Sequence, residues 1–293
     1  MSMLQTDTLV RAPPSRLMFE LGRMNDLLHI ELLDEPQSMH NLLVIMPHLR
    51  VRAVNVLDLS RLKRCERVSN KKPTNSEVQD EVCEEEEGHF ISRFYRVVVQ
   101  LEGLTSLILG KACLDQASSS DDYGKWDVDY LIEAIPNFKN LRSLCLRGLS
   151  LTASDGFDVL KACAKCPTLR ELDLSSNSLH ELSDVVEDED VTCMLESLNL
   201  NCNALGEFDS DSIGADQTAS ALVALLTKYT SLRSLDLSSN AMGNREGLSI
   251  ALASSYHKCT HLRMLDLRAN NWSAEVDNSI QASWLGPLDG LLI

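Results

Sequence analysis

Along most of the chain, leucines occupy the first, fourth and sixth places of a short segment and polar residues fill the places between them. TLRELDLSSNSL sets out Leu169, Leu172, Leu174 and Asn177, and SLRSLDLSSNAM repeats the arrangement on Leu232, Leu235, Leu237 and Asn240. MLESLNLNCNAL carries it on Leu195, Leu198, Leu200 and Asn203, and HLRMLDLRANNW on Leu262, Leu265, Leu267 and Asn270. Upstream, Leu104/Leu107/Leu109 and Leu141/Leu144/Leu146 keep the leucines but have Ala112 and Leu149 in place of the Asn. Val54/Leu57/Leu59 and Leu27/Ile30/Leu32 are degenerate copies. A two-residue alternation predicts a short strand with its leucines in a core and the intervening side chains on the opposite face. The Asn follows the strand, where its amide reaches backbone groups across the turn and ties one unit to the next.

The first apolar positions of successive copies are 27, 50, 37, 28, 26, 37 and 30 residues apart. The recurring step of 26 to 30 residues leaves room for a helix behind each strand. Helical spacing is present in Phe157, Leu160 and Ala164, in Leu222, Leu225 and Leu226, and in Leu248, Ala251, Leu252 and Tyr256. Pro167 stops the first of these helices. One unit cannot bury both its strand and its helix, so about eight units must stack. The expected fold class is therefore α/β, a leucine-rich repeat solenoid or horseshoe with a parallel inner sheet and outer helices. Its inner sheet keeps one solvated face, unlike most parallel sheets.

The LxxLxLxxN segments, clear from Leu104 to Asn270 and degenerate back to about Leu27, resemble the ribonuclease-inhibitor-like class of leucine-rich repeat proteins. The resemblance implies alternating strand and helix in a curved solenoid. It says little about role, because such scaffolds host many functions. The domain reading is a single solenoid over 1–293, with degenerate N-terminal repeats at 17–65, an acidic mobile insertion at 66–89, main repeats at 97–272 and a C-terminal cap at 273–293. The insertion, ERVSNKKPTNSEVQDEVCEEEEGH, has few apolar residues and is followed by a strand-like FYRVVVQL stretch. An Asp/Ser loop precedes a helix starting near Asp127, and GEFDSDSIGADQTA extends the loop after Asn203. Trp284, Leu285, Leu288, Leu291 and Leu292 supply apolar area for the cap.

Fifty leucines account for the repeat, while 43 acidic against 27 basic residues give a net charge of −16. That charge opposes nucleic-acid backbones and anionic membranes as partners. Nine cysteines, an odd number in a chain that needs no staples, read as reduced thiols and suggest a cytoplasmic location. Met1 to Leu21 has no signal-like apolar run, and no run of 18 apolar residues occurs in the chain. Between Arg170 and Lys228 lie 57 residues without Lys or Arg but with 13 Asp or Glu. This acidic sector is either a solvated face or a docking surface for a basic partner.

Catalytic and metal signatures are weak. Cys163 and Cys166 form a CxxC pair that reads as core packing, and neither HExxH nor a phosphate-binding glycine loop is present. No cofactor and no catalytic or metal residue is assigned, and the chain reads as a non-enzyme.

Docking candidates come from the sheet face. The place between the second and third leucines holds Asp173, Asn199, Asp236 and Asp266, and the place after the first leucine holds Arg142, Arg170, Glu196, Arg233 and Arg263. With Arg268 these form the expected partner-binding set. The arginines are read as directional donors and the aspartates as selectors of basic side chains; Arg–Asp pairing across neighbouring strands is the competing reading. The expected function is a non-catalytic protein–protein interaction scaffold, a monomeric solenoid within a larger intracellular assembly, with a protein partner and no direct nucleic-acid or membrane contact. The alternative is a regulator of one enzyme, either a small-GTPase activator or a nuclease inhibitor. Some members of the resembled class activate GTPases through an N-terminal Arg loop, but Arg23 in RMNDLLHIELLDE does not match that loop well.

Overall fold

The computed structural model describes residues 3–5, 28–31, 54–60, 92, 94–110, 125–180, 193–206, 213–244 and 261–293. These fall in two compact units, Met1–Leu141 and Arg142–Ile293. The acidic insertion at 66–89, the Asp/Ser loop, the parts of the acidic sector at 181–192 and 207–212, the helix expected around Leu248 to Tyr256 and the Arg23 loop lie outside the described residues.

In the first unit, β1 (Met3–Gln5), β2 (Leu28–Glu31), β3 (Val54–Asp58) and β4 (Ser106–Ile108) pair in parallel and in chain order. Ile30, Leu57 and Leu107, the fourth positions of three repeat copies, stand opposite one another, so even the degenerate copies share one register. Leu4 extends this row into β1, a strand that no leucine motif announces. Leu57, Leu59, Leu104, Leu107 and Leu109 are buried.

The stretch expected to be strand-like is instead helical over 94–98. The Val99 N–H donates to the Tyr95 carbonyl and the Leu101 N–H to the Val98 carbonyl. Phe94, Tyr95, Val98 and Leu101 are buried while Arg96 is exposed, a helical burial period that outweighs the strand preference of the consecutive valines. Helix α1 (Lys125–Ala134) continues into a 3-10 turn, Ile135–Asn137, and closes this unit over buried Val128, Leu131, Ile135 and Phe138.

The second unit carries β5 (Ser143–Cys145), β6 (Glu171–Asp173), β7 (Ser197–Asn199), β8 (Ser234–Asp236), β9 (Met264–Asp266) and β10 (Leu291–Leu292). All pair in parallel and in chain order. Leu144, Leu172, Leu198, Leu235, Leu265 and Leu291 form one register row, five of them repeat leucines. Helices α2 (Ala153–Ala164), α3 (Ile213–Lys228) and α4 (Ala274–Ser283) lie between strands in the chain, giving an α/β fold with a parallel sheet flanked by helices.

α2 starts with a reciprocal cap. The Asp155 N–H donates to Thr152 Oγ1 at 3.3 Å, and the Thr152 N–H to Asp155 Oδ2 at 2.9 Å. Its buried residues are Gly156, Val159, Leu160, Ala162 and Cys163; of the expected row Phe157, Leu160 and Ala164, Leu160 is buried and the other two are half-buried. Gly156 faces the Leu179 side chain, leaving no room there for a Cβ, so the glycine marks the contact line. Phe157 is half-buried, with the Lys161 ammonium 5.9 Å above its ring. In α3, Ala221, Leu222, Leu225 and Leu226 are buried, as the spacing predicts.

The strand-end asparagines form a continuous ladder. Asn177 Nδ2 donates to the carbonyls of Leu146 and Leu174, Asn203 Nδ2 to Leu174 and Leu200, Asn240 Nδ2 to Leu200 and Leu237, and Asn270 Nδ2 to Leu237 and Leu267. Each Oδ1 accepts from the backbone of the preceding unit: Leu149 and Leu151 to Asn177, Asn177 to Asn203, Asn203 to Asn240 and Asn240 to Asn270. All four residues are buried and matched in both senses, which is the only low-cost way to keep an amide in such a core. Where Leu149 replaces the Asn, its backbone N–H still feeds the ladder, so the substitution removes one rung and leaves the stacking in place.

Candidate docking face of the parallel sheet

The alternation that buries the central leucine of each strand turns both of its neighbours to the other face. In the second unit one of these columns is Ser143, Glu171, Ser197, Ser234 and Met264, and the other is Cys145, Asp173, Asn199, Asp236 and Asp266. Glu171 and Met264 are exposed, Asp266 is buried, and the rest are half-buried. The Ser/Glu/Met column was absent from the expected set. Its signal was present in the same alternation, one place before each central leucine.

The arginine row enters the sheet one residue earlier. Arg170 and Glu171 donate their N–H groups to the Arg142 carbonyl, Glu196 to Arg170, Arg233 to Glu196, and Arg263 to Arg233. Arg142, Arg170, Glu196, Arg233 and Arg263 therefore stack as neighbours along the edge where the strands begin. Arg142, Glu196, Arg233 and Arg263 are exposed. Arg170 turns back on its own loop: Nη1 donates to the carbonyls of Pro167 and Leu169, each at 2.9 Å, and Nε stands 3.6 Å from Glu196 Oε1. Among the described residues, no ion pair involves Arg142, Arg233 or Arg263.

The acidic column has local work that residue spacing alone does not disclose. Asp173 Oδ1 accepts the Ser175 N–H at 2.8 Å, Asn199 Oδ1 the Asn201 N–H at 2.9 Å, and Asp236 Oδ1 the Ser238 N–H at 2.9 Å. Each closes an Asx turn that ends its strand. Asp266 does the same for the Arg268 N–H at 3.1 Å, and the Arg268 guanidinium also grips both carboxylate oxygens. Burial pushes the Asp266 carboxyl up, but the side-chain and backbone hydrogen bonds of Arg268, together with its charge, outweigh this and hold it below its ordinary value. The closest Arg–Asp pair in the described face thus lies within one turn, between Asp266 and Arg268, while Arg268 also feels the Asp236 charge on the neighbouring strand and Arg170 reaches Glu196 across strands.

The buried thiols occupy a different place. Cys163, Cys166 and Cys193 are free and buried. Burial pushes the Cys163 thiol well up, aided by the nearby Cys193 and Cys166, and it also raises Cys193. Cys163 and Cys193 so raised stay protonated near neutral pH and are poor nucleophiles. Among the described residues, no three His, Cys, Asp or Glu side chains converge to hold a metal ion, and no helix is long and apolar enough to cross a membrane.

Parallel strands with interleaved helices, central leucines in one register and an asparagine ladder follow the general pattern of leucine-rich-repeat folds. A family model described as Leucine Rich repeat matches residues 165–180 and 229–251, around Asn177 and Asn240, so the chain contains a leucine-rich-repeat-like region. No curated protein matches the chain significantly.

Proposed function

We propose that this protein is a non-catalytic interaction scaffold of the ribonuclease-inhibitor-like class, a horseshoe solenoid that docks a protein partner on the solvated face of its parallel sheet. The observation that carries this reading is the pair of register-matched columns on β5 to β9, polar except at Cys145 and Met264 and mostly half-buried or exposed, where a parallel sheet ordinarily carries apolar residues under a second helical layer. The proposed contact set is Arg142, Arg170, Asp173, Glu196, Asn199, Arg233, Asp236, Arg263, Asp266 and Arg268. Within it, the exposed arginines are the directional donors, whereas Asp266 and Arg268 chiefly hold each other. The partner role is that of a subunit or adaptor in an assembly.

Crosslinking the native complex through carboxylates, followed by mass spectrometry, tests this. Partner crosslinks are expected at Glu171, Asp173 and Glu196 on the sheet side. Crosslinks confined to α2 and α3, or a catalytic turnover assignable to the chain, would overturn it.

A further inference from the structure

We infer that the corner of the sheet formed by Arg233, Arg263 and Met264 receives an acidic segment of the protein partner that carries an apolar side chain beside its carboxylates. The inference rests on the docking reading above and adds the chemistry of the segment docked.

The Arg233 carbonyl accepts both the Arg263 N–H at 2.7 Å and the Met264 N–H at 2.9 Å, so the two arginines and the methionine start on adjoining backbone. Both guanidinium groups belong to exposed residues with no ion pair among the described residues. Two like charges on neighbouring strands, about 5 Å apart at the backbone, repel each other unless a counter-charge lies between them. Met264 is 49% exposed although it is a strand residue, and its register partner Ser234 is small, so an apolar ledge stands open beside the cationic pair.

The opposite end of the same strands carries the other sign, in a quieter form. Asp236 is bonded to both the N–H and the Oγ of Ser238, and Asp266 is enclosed by Arg268. From Arg263 to Asp266 is about 10 Å along the strand, roughly one Debye length at physiological salt. Glu196, the neighbour of Arg233 in the row, has Arg170 Nε 3.6 Å from its carboxylate, so Arg233 and Arg263 leave this corner locally positive despite the acidic chain. Carboxylates can bind arginine in bidentate fashion, and a neighbouring apolar residue would cover Met264. A nucleic-acid backbone, by contrast, would extend its charge over a protein of net charge −16.

The probe is a fluorescein-labelled peptide alternating glutamate with leucine and serine, about seven residues long, enough to cross β5 to β9 when extended. Its anisotropy is followed with the full chain at fixed, near-physiological salt, and a lysine-for-glutamate peptide serves as the charge control. The double variant Arg233→Glu/Arg263→Glu should weaken binding of the glutamate peptide at least about tenfold, and Met264→Ser by several-fold. The same two-charge reversal at the C-terminal end of α2, Lys161→Glu/Lys165→Glu, should leave it unchanged, with circular dichroism confirming that each variant folds. Absence of binding to the wild-type chain, equal loss in the α2 variant, or tighter binding of the lysine peptide would overturn the inference. If the lysine peptide binds and Asp173→Asn/Asp236→Asn abolishes that binding, the sheet face remains the docking surface and only the acidic partner is lost. Crosslinks that avoid the sheet altogether remove the docking reading itself.

Discussion

Asn240 holds two repeat units together through one side chain. Its Oδ1 accepts the N–H groups of Asn203 and Leu205, and its Nδ2 donates to the carbonyls of Leu200 and Leu237. Replacing it with Ala leaves the Asn203 and Leu205 N–H groups unmet, each costing about 1 to 3 kcal/mol, while the Leu200 and Leu237 carbonyls keep their bonds from Asn203 Nδ2 and Asn270 Nδ2. Asn240→Ala should therefore lower unfolding free energy by about 2 kcal/mol or more in urea titrations; a loss under about 1 kcal/mol would mean that water or a shifted backbone replaces the rung. Asn240→Asp is expected to be no rescue, since a carboxylate cannot donate to Leu200 and Leu237. Asp266 gives a pH signature at the same scale. Because its folded pKa lies below the ordinary carboxylate value, its stabilising contribution is present above that value and is lost as pH falls through the folded one. The wild-type chain should thus lose more stability between neutral pH and about pH 3 than Asp266→Asn does, as followed by denaturant unfolding at both pH values; parallel losses would show that the carboxylate is not coupled to folding.

Short strands survive as elements because the turns after them are closed on both sides. The Asx residue caps the strand, and the asparagine ladder follows within a few residues. Residues flanking the ladder take left-handed backbone, as at Ser176, Cys202, Ser239 and Ala269, where Gly148 fills the equivalent place in the β5 unit. At Gly243 a different constraint holds. Its N–H donates to the Asn270 carbonyl at 2.6 Å, and an added methyl would run into the Asn271 backbone. Gly243→Ala should cost about 1 to 3 kcal/mol by forcing the two turns apart, read as a lowered urea midpoint. An unchanged midpoint would place the turns farther apart than described. The spacing of repeat copies did not foresee these contacts, because they depend on how closely neighbouring turns approach. It did foresee β2 to β9, even across the 37-residue step from Leu195 to Leu232, where β7 and β8 still pair in register.

At the scale of the whole molecule, the edge of β9 that β10 covers is the vulnerable part. β10 covers the edge of β9 through Leu291 and Leu292, and the Leu267 N–H donates to the Leu292 carbonyl at 2.7 Å. Deleting residues 284–293 should expose that edge, lower the thermal midpoint and promote self-association visible in size-exclusion chromatography, as unprotected edge strands do. A monomeric deletion variant of unchanged stability would show that β10 is dispensable. The sequence by itself determined the leucine register, the strand–helix alternation and the ladder asparagines, because a period of two beside one of 3.6 leaves few ways to bury the same residues. It also marked Arg142, Arg233 and Arg263 by their repeated place. Only the tertiary structure decided that 94–98 is helical, that Gly156 and not Phe157 lines the α2 contact, and that Asp173, Asp236 and Asp266 are engaged by their own turns. The reason is physical: periodicity reports which side chains must leave water, whereas the partner a polar group finds depends on backbone only a few ångströms away in space.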